Sequence, residues 1–184
     1  MSRLAAPSVL GYALLELLAR APCTGYELTQ TMDYPVGHVW AARHSQIYPT
    51  LIDLEARGLV RHRVVAGRGP RDTKRYTVTA KGKRALVSWV GSPFRVPESR
   101  NEFLLRVRAL WLTDRARALE LVRAAYDHHR ARLAMYQADE ARFDDRDRHD
   151  PKQPGFTTYA TLRAGIGYEQ HMVAWCEWML ASLD

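Results

Sequence analysis

The chain has 184 residues, 47% hydrophobic and 26% charged, with a formal net charge of +7. That is globular composition, long enough for one domain or two small ones. No apolar run approaches the ~18 residues a membrane span needs, Glu16 and Arg20 interrupt any secretory core, and the isolated Cys23 and Cys176 have neither metal-ligand spacing nor a disulfide pattern. A cytoplasmic protein without a metal or cofactor is therefore expected. The charge is unevenly placed: residues 1–95 carry 14 Lys/Arg against 6 Asp/Glu, and residues 96–184 carry 13 against 14. Such asymmetry directs the first half toward a polyanion, although an arginine-rich solvated face would read the same way on charge alone.

In chain order, Ser8 is an N-cap for a first helix ending at Arg20, before Ala21-Pro22. Val9, Leu10, Ala13, Leu14, Leu17 and Leu18 recur at helical spacing, and Tyr12 and Leu15 widen the apolar surface. So broad a surface is expected to lie between the rest of its domain and a partner subunit. Thr24 with Glu27 forms a capping-box pattern opening a second helix to Met32 or Asp33. Pro35 and Gly37 mark a loop after it. A third helix is predicted from about Ser45 to Arg57, with Ile47, Leu51 and Leu54 on one inward face. Its other face offers Gln46, Thr50, Asp53 and Arg57, with His44 and Ser45 at the start. Pro49 requires a start close by, and Gly58 is the expected stop. Three helices with this spacing make a helix-turn-helix.

Leu59 to Val65 alternates as a strand, and Arg75 to Val78 is its return. The connection holds Gly67, Gly69 and Pro70 and is longer than a tight hairpin needs; its cations Arg68, Arg71 and Lys74 fit a positive finger on a nucleic-acid backbone better than a solvated tip. Thr79 caps a fourth helix, residues 80–90, with Ala85, Leu86, Trp89 and Val90 apolar. Gly91-Ser92-Pro93 ends it, and an extended linker separates two domains, residues 1–92 and 98–184.

The second domain reads as helical. A helix over residues 98–112 leads to a long one from Thr113-Asp114, with Leu119, Val122, Tyr126, His129, Leu133, Tyr136 and Phe143 spaced as a coiled-coil-like seam. Asp139 to Pro154 turns charged, with alternating signs that indicate a frayed helix end and solvated loop rather than a carboxylate metal site. A last helix, from Phe156 or Thr158 to about Leu183, carries Leu162, Ile166, Val173, Cys176, Leu180 and Leu183. Gly165 and Gly167 within it permit close helix approach or leave room for a ligand. Two long apolar seams in half a small chain have more edge than they can cover, so dimerisation is expected. The fold class is thus mainly α with a small β-hairpin wing: an N-terminal winged helix-turn-helix and a C-terminal helical dimerisation domain.

Several strings together resemble the PadR family of bacterial winged-helix regulators: Thr24-Gly25-Tyr26-Glu27-Leu28, Gln46-Ile47-Tyr48-Pro49-Thr50-Leu51, Leu54-Glu55 with Gly58-Leu59, Gly69-Pro70-Arg71, Arg75-Tyr76 and Thr79-Ala80-Lys81-Gly82. The likeness spans about residues 8–90, and Gly165-Ile166, Glu169 and Trp175 resemble the subgroup with a larger C-terminal domain. It implies a homodimer, joined through C-terminal helices with help from the first helix, that binds an inverted promoter repeat, usually as a repressor. It also implies groove contacts from Gln46, Tyr48, Pro49 and Thr50, a phosphate contact from Tyr26, and backbone contacts from Arg71 and Lys74. Asp72 departs from the family's more continuous basic run. His44, Ser45 and Arg68 complete the candidate DNA-binding set.

Tyr12, Trp89, Trp111, Tyr168, His171 and Trp175 are candidates for lining a pocket for a flat aromatic effector, although each alone is ordinary core. The histidines His128, His129 and His171 have no metal-type spacing and read as surface or interface residues. The leading reading is an effector-released repressor. A ligand-independent DNA-binding regulator or architectural protein is the alternative, and an enzyme on aromatic acids is remote, because nothing resembles a nucleophile elbow, cofactor loop or metal motif.

Overall fold

The computed structural model describes residues 6–33, 44–66, 73–94 and 101–184. By its contacts the chain divides into two compact units, residues 1–95 and 96–184.

The first unit is built around α1 (Val9–Arg20), whose N-cap Ser8 hydroxyl accepts from the Gly11 amide at 3.1 Å. Leu10, Tyr12, Leu14, Leu15, Leu17 and Leu18 are all buried, which leaves little of the helix polar. The unit itself supplies cover on several sides: α3 (His44–Ala56), α4 (Ala80–Val90) and β3 (Thr73–Val78) pack on α1. The breadth of α1's apolar surface thus does not by itself require a partner subunit.

A two-residue strand, β1 (Cys23–Thr24), follows α1 and leads into α2 (Gly25–Asp33). The capping box forms as the spacing predicts: the Thr24 amide donates to Glu27 Oε2 at 2.7 Å, and the Glu27 amide donates to the Thr24 hydroxyl at 3.1 Å. Leu28 and Met32 point into the core with Ile47, Leu51 and Leu54 of α3. Pro49 lies inside α3, which is described from His44, next to the expected start.

α3 stops by a specific mechanism. Gly58 takes φ +68°, a left-handed conformation that glycine adopts without penalty. Its amide donates to the Glu55 carbonyl at 2.8 Å, and the Leu59 amide donates back to Leu54 at 2.9 Å, the bond pair of a Schellman stop. Lys81 Nζ donates to the Arg57 carbonyl at 2.7 Å, satisfying another helix-end acceptor.

β2 (Val60–Val65) pairs antiparallel with β3, from Val60 opposite Val78 to Val65 opposite Thr73. The expected two-stranded ribbon is in fact a three-stranded sheet of order β1-β3-β2, with Cys23 opposite Tyr76 and Thr24 opposite Arg75. Two residues are too few for a period-two pattern, so β1 left no sequence signal. β3 runs into α4 through Thr79, whose hydroxyl accepts from the Gly82 amide at 3.1 Å and lies 2.8 Å from the Gly58 carbonyl. The Thr79 amide donates to the Leu59 carbonyl at 3.0 Å. That carbonyl faces Gly82 so closely that a methyl group there would lie 2.1 Å from its oxygen.

In the second unit the expected helix over residues 98–112 is shorter and broken. Residues 95–100 lie outside the described segments; α5 (Glu102–Arg108) is capped by Asn101, and a 3-10 turn over Leu110–Leu112 follows. α6 (Arg115–Glu140) has Asp114 as its N-cap. The charged run is not only loop. Asp144 caps a short helix, α7 (Asp145–His149), which packs on α8 (Pro154–Leu183). α8 begins earlier than predicted because Pro154 sits in its first turn, where no amide is missed.

α6 and α8 run antiparallel: Arg115 meets Asp184, Tyr126 meets Glu177, His129 meets Glu169, and Glu140 meets Arg163. Tyr136, Leu162 and Ile166 form an apolar cluster with Leu133 and Phe143, the last lying beyond α6's end. Val122, Met172 and Cys176 are also buried. The middle of the seam is polar. Glu169, with 1% of its surface exposed, accepts from Arg132 Nε at 2.8 Å and sits 2.5 Å from His129 Nδ1. Arg132 also donates to the Tyr136 hydroxyl. His129, a half-buried residue at the interface of α6 and α8, is thus paired with a buried carboxylate.

Gly82→Ala is expected to lower unfolding stability by about 2–3 kcal/mol in urea titrations, because the methyl group meets backbone that cannot swing aside. Glu169→Ala should cost about 2–3 kcal/mol, below the full penalty for breaking a buried ion pair because Arg132 retains some solvent.

Candidate nucleic-acid interface

The inward face of α3 is filled by Ile47, Leu51 and Leu54, each fully buried, which turns Ser45, Gln46, Tyr48 and Pro49 to solvent and leaves Thr50 half-buried. His44 opens the helix, and its side chain lies outside the described residues. The outer face borders an open cleft whose far wall is the start of α1, Ser8 to Leu10, with Ser45, Gln46, Pro49 and Thr50 opposite.

Each exposed group is held in a particular way. The Tyr48 ring lies over Gly25 at the start of α2: a methyl group at Gly25 would meet ring carbons at 2.5 and 2.9 Å and the hydroxyl at 3.1 Å. The ring is therefore seated between two helices, and about half of the residue remains exposed. Tyr26, 64% exposed, accepts from Gln30 Nε2 at 3.0 Å. The Thr50 hydroxyl donates to the Gln46 carbonyl at 2.7 Å, so its proton stays within the helix and an outside ligand meets its methyl group or an oxygen lone pair. The Gln46 amide is the group on this face best suited to bidentate reading of a base edge.

Lys74 on β3 is exposed, as are Arg61 and Arg63 on β2. Those two arginines were not singled out as candidates. Strand alternation puts them on the face opposite the buried Val60, the signal that could have found them. Arg68 and Arg71 lie outside the described residues. Arg75 behaves differently from its neighbours. Its Nη1 donates to the Pro22 carbonyl at 2.8 Å and its Nη2 to Glu27 Oε1 at 3.0 Å. On the other strand, the His62 amide and Nδ1 both meet Glu55 Oε1, at 3.0 and 2.7 Å.

The aromatic candidates divide between the units. In the first, Tyr12 and Trp89 stack face to face, with centroids 4.6 Å apart and planes 7° from parallel, and Trp89 keeps 40% of its surface exposed. In the second, Trp175 meets the edge of Phe103 at 5.8 Å, and Tyr168 meets His129 at 6.0 Å. His171 is exposed, as is Trp111 at 81%. Among the described residues, the three candidates on α8 share no ring contact with one another.

Comparison with known proteins covers nearly the whole chain. The profile of the PadR-like transcriptional regulator family matches residues 14–88, and that of the virulence activator alpha C-terminal region matches residues 99–184. The negative transcriptional regulator PadR of Bacillus subtilis is 30% identical over 178 residues, spanning 96% of this chain and 98% of that protein. The crystal structure of that relative with operator DNA superposes with a TM-score of 0.86, covering 96% of this chain and 100% of that one at 30% identity. Its complex with p-coumaric acid gives 0.77 at the same identity, over 96% and 99%.

Glu27 supplies a pH test of the α2 cap. The Thr24 amide holds its carboxyl below the usual carboxylate range, and the Thr24 hydroxyl and Arg75 add to this against a partly opposing burial. A depressed folded pKa contributes stability above the unfolded carboxylate range and loses it as pH falls through the folded value. Wild type should therefore lose more stability between neutral pH and about pH 3 than Glu27→Gln does, read from urea midpoints across that window.

Proposed function

Since the chain belongs to the PadR-like family of transcriptional regulators, we propose that it is a homodimeric, cytoplasmic repressor that binds an inverted-repeat promoter site and is released by a small aromatic effector. The observation that supports the DNA reading is the exposed outer face of α3, with Ser45, Gln46, Tyr48 and Pro49 and the half-buried Thr50, in a unit whose strands also present the exposed cations Lys74, Arg61 and Arg63. A helix of this width fits a major groove, and a positive ribbon beside it fits the flanking phosphates. His44, Arg68 and Arg71 belong to the same proposed surface, and Tyr26 stands exposed at the start of α2 as its phosphate contact.

Two further observations support the assembly and the effector. In the second unit, Leu104, Leu105, Trp111, Leu112 and Trp178 are exposed apolar side chains of the kind a partner subunit covers. Among the described residues no helix is long and apolar enough to cross a membrane, so a bilayer does not account for them through a spanning helix. For the effector, the Tyr12–Trp89 stack leaves a flat aromatic surface available to a planar ring, the kind of molecule the Bacillus subtilis relative was crystallised with. The effector releases DNA by favouring a dimer whose two α3 helices no longer match successive grooves.

The test is binding of the purified protein to the DNA upstream of its own gene, against unrelated DNA, across a salt series. Specific binding should weaken steeply with salt, the logarithmic slope falling by about 0.9 for each phosphate contact removed. Lys74→Ala and Arg71→Ala should each flatten that slope and weaken all sequences alike, whereas Gln46→Ala should erode the preference for the specific site. Addition of p-coumaric acid should release the specific complex in wild type and fail to do so in Trp89→Ala. Equal, weak binding to both DNAs and no response to the acid would overturn the reading.

A further inference from the structure

We infer that Arg75, although it lies in the basic wing, is a positioning residue that fastens the wing to the helix-turn-helix and does not touch DNA. The inference rests on the DNA-binding reading above and concerns how that surface is held in shape.

Arg75 sits next to Lys74 on β3, and the two cations are used in opposite ways. Lys74 is exposed. The Arg75 guanidinium reaches back across the sheet edge to two acceptors distant in sequence, the Pro22 carbonyl at 2.8 Å and Glu27 Oε1 at 3.0 Å. A planar fork can span two such acceptors, which a lysine ammonium cannot do in the same geometry. The backbone reinforces the placement, because Thr24 of β1 pairs with Arg75 itself. The carboxylate that receives Arg75 is the one that caps α2, its other oxygen accepting from the Thr24 amide at 2.7 Å. β3, β1 and the first turn of α2 thus close into one hydrogen-bonded ring.

The second wing strand is tied down in parallel. Glu55, on the last turns of α3, accepts from the His62 amide at 3.0 Å and holds the ring nitrogen at 2.7 Å. One carboxylate from each helix of the motif therefore holds one strand of the wing. The distance between the groove-facing side of α3 and the wing cations is what must match DNA, and these two carboxylates set it.

The two roles predict opposite signs for one substitution. If Arg75 were a phosphate contact restrained by Glu27, Glu27→Gln would free it, strengthening DNA binding and steepening the salt dependence. As a fastening, Glu27→Gln weakens binding instead. The experiment uses the full-length protein and its upstream DNA, with each variant first shown by circular dichroism to be folded at the assay temperature. Arg75→Ala is expected to weaken specific binding by roughly tenfold or more, the effect of losing hydrogen bonds that involve a charged group, with the salt slope of wild type. Glu27→Gln should act in the same direction, and the double variant should add little to either, as coupled partners do. Arg75→Lys, which retains the charge and loses the fork, should resemble Arg75→Ala.

Tighter binding by Glu27→Gln, a slope flattened by Arg75→Ala as much as by Lys74→Ala, or unchanged affinity in Arg75→Ala would each overturn the inference. Failure of the DNA-binding reading looks different: wild type and Lys74→Ala would then share one weak, nonspecific affinity. Amide hydrogen exchange completes the test independently of DNA. Arg75→Ala should speed exchange in β1 and its pairing with β3 while β2–β3 stays protected, and unchanged protection in β1 would remove the fastening itself.

Discussion

The first unit depends on what converges at the carbonyl of Leu59. The chain leaves α3 through the left-handed Gly58, and within two residues it is in β2. The returning strand ends at the same place, where the Thr79 amide donates to the Leu59 carbonyl, and α4 starts over it with Gly82 in contact. Three elements therefore share one backbone group, and none can shift alone. The end of the recognition helix and both roots of the wing are thereby fixed in a common frame. On the proposed reading, in which this surface meets both a groove and a flanking backbone, such a frame matters more than any one contact.

The second unit is organised differently. Its two long helices pack along an antiparallel seam whose apolar cluster lies toward one end, and Glu169 with Arg132 and His129 interrupts the middle. A buried polar group satisfied from the facing helix discriminates among registers, because sliding α8 by one turn would leave the carboxylate without its donors. An all-apolar seam would tolerate the slip. The polar centre thus trades some burial for a defined alignment of the helices.

Much of this was readable in the residues. The capping box at Thr24, the stop at Gly58, the cap at Thr79 and the inward face of α3 each follow from local chemistry, and each is present. Where the reading failed, the determining partner was distant or the pattern too short. β1 has two residues and exists because Tyr76 and Arg75 lie opposite it. α7 was hidden in a run of alternating charges, although Asp144 ahead of it is a capping residue. Glu169 interrupts an apolar series and was named only as part of the family likeness, since only α6 shows why it is inside. Arg75 was read only as the start of the returning strand and within the family likeness, because charge in a sequence does not reveal which acceptors lie within reach. The outer-face candidates on α3 were legible for the opposite reason: helical spacing assigns them once the inward face is known.

The seat of Tyr48 on Gly25 has a consequence for how this surface can diversify. Gln46 and Thr50 stand on the outer face of α3, bordering the cleft toward α1, with Gln46 exposed and Thr50 half-buried, so these proposed reading positions can be exchanged with little disturbance to the core. Tyr48 is bound to a bare backbone in a different helix, and any side chain at position 25 would displace its ring. Positions 25 and 48 therefore vary together: a side chain at position 25 requires a smaller residue at 48, and a library confined to α3 leaves Gly25, one half of that pair, fixed.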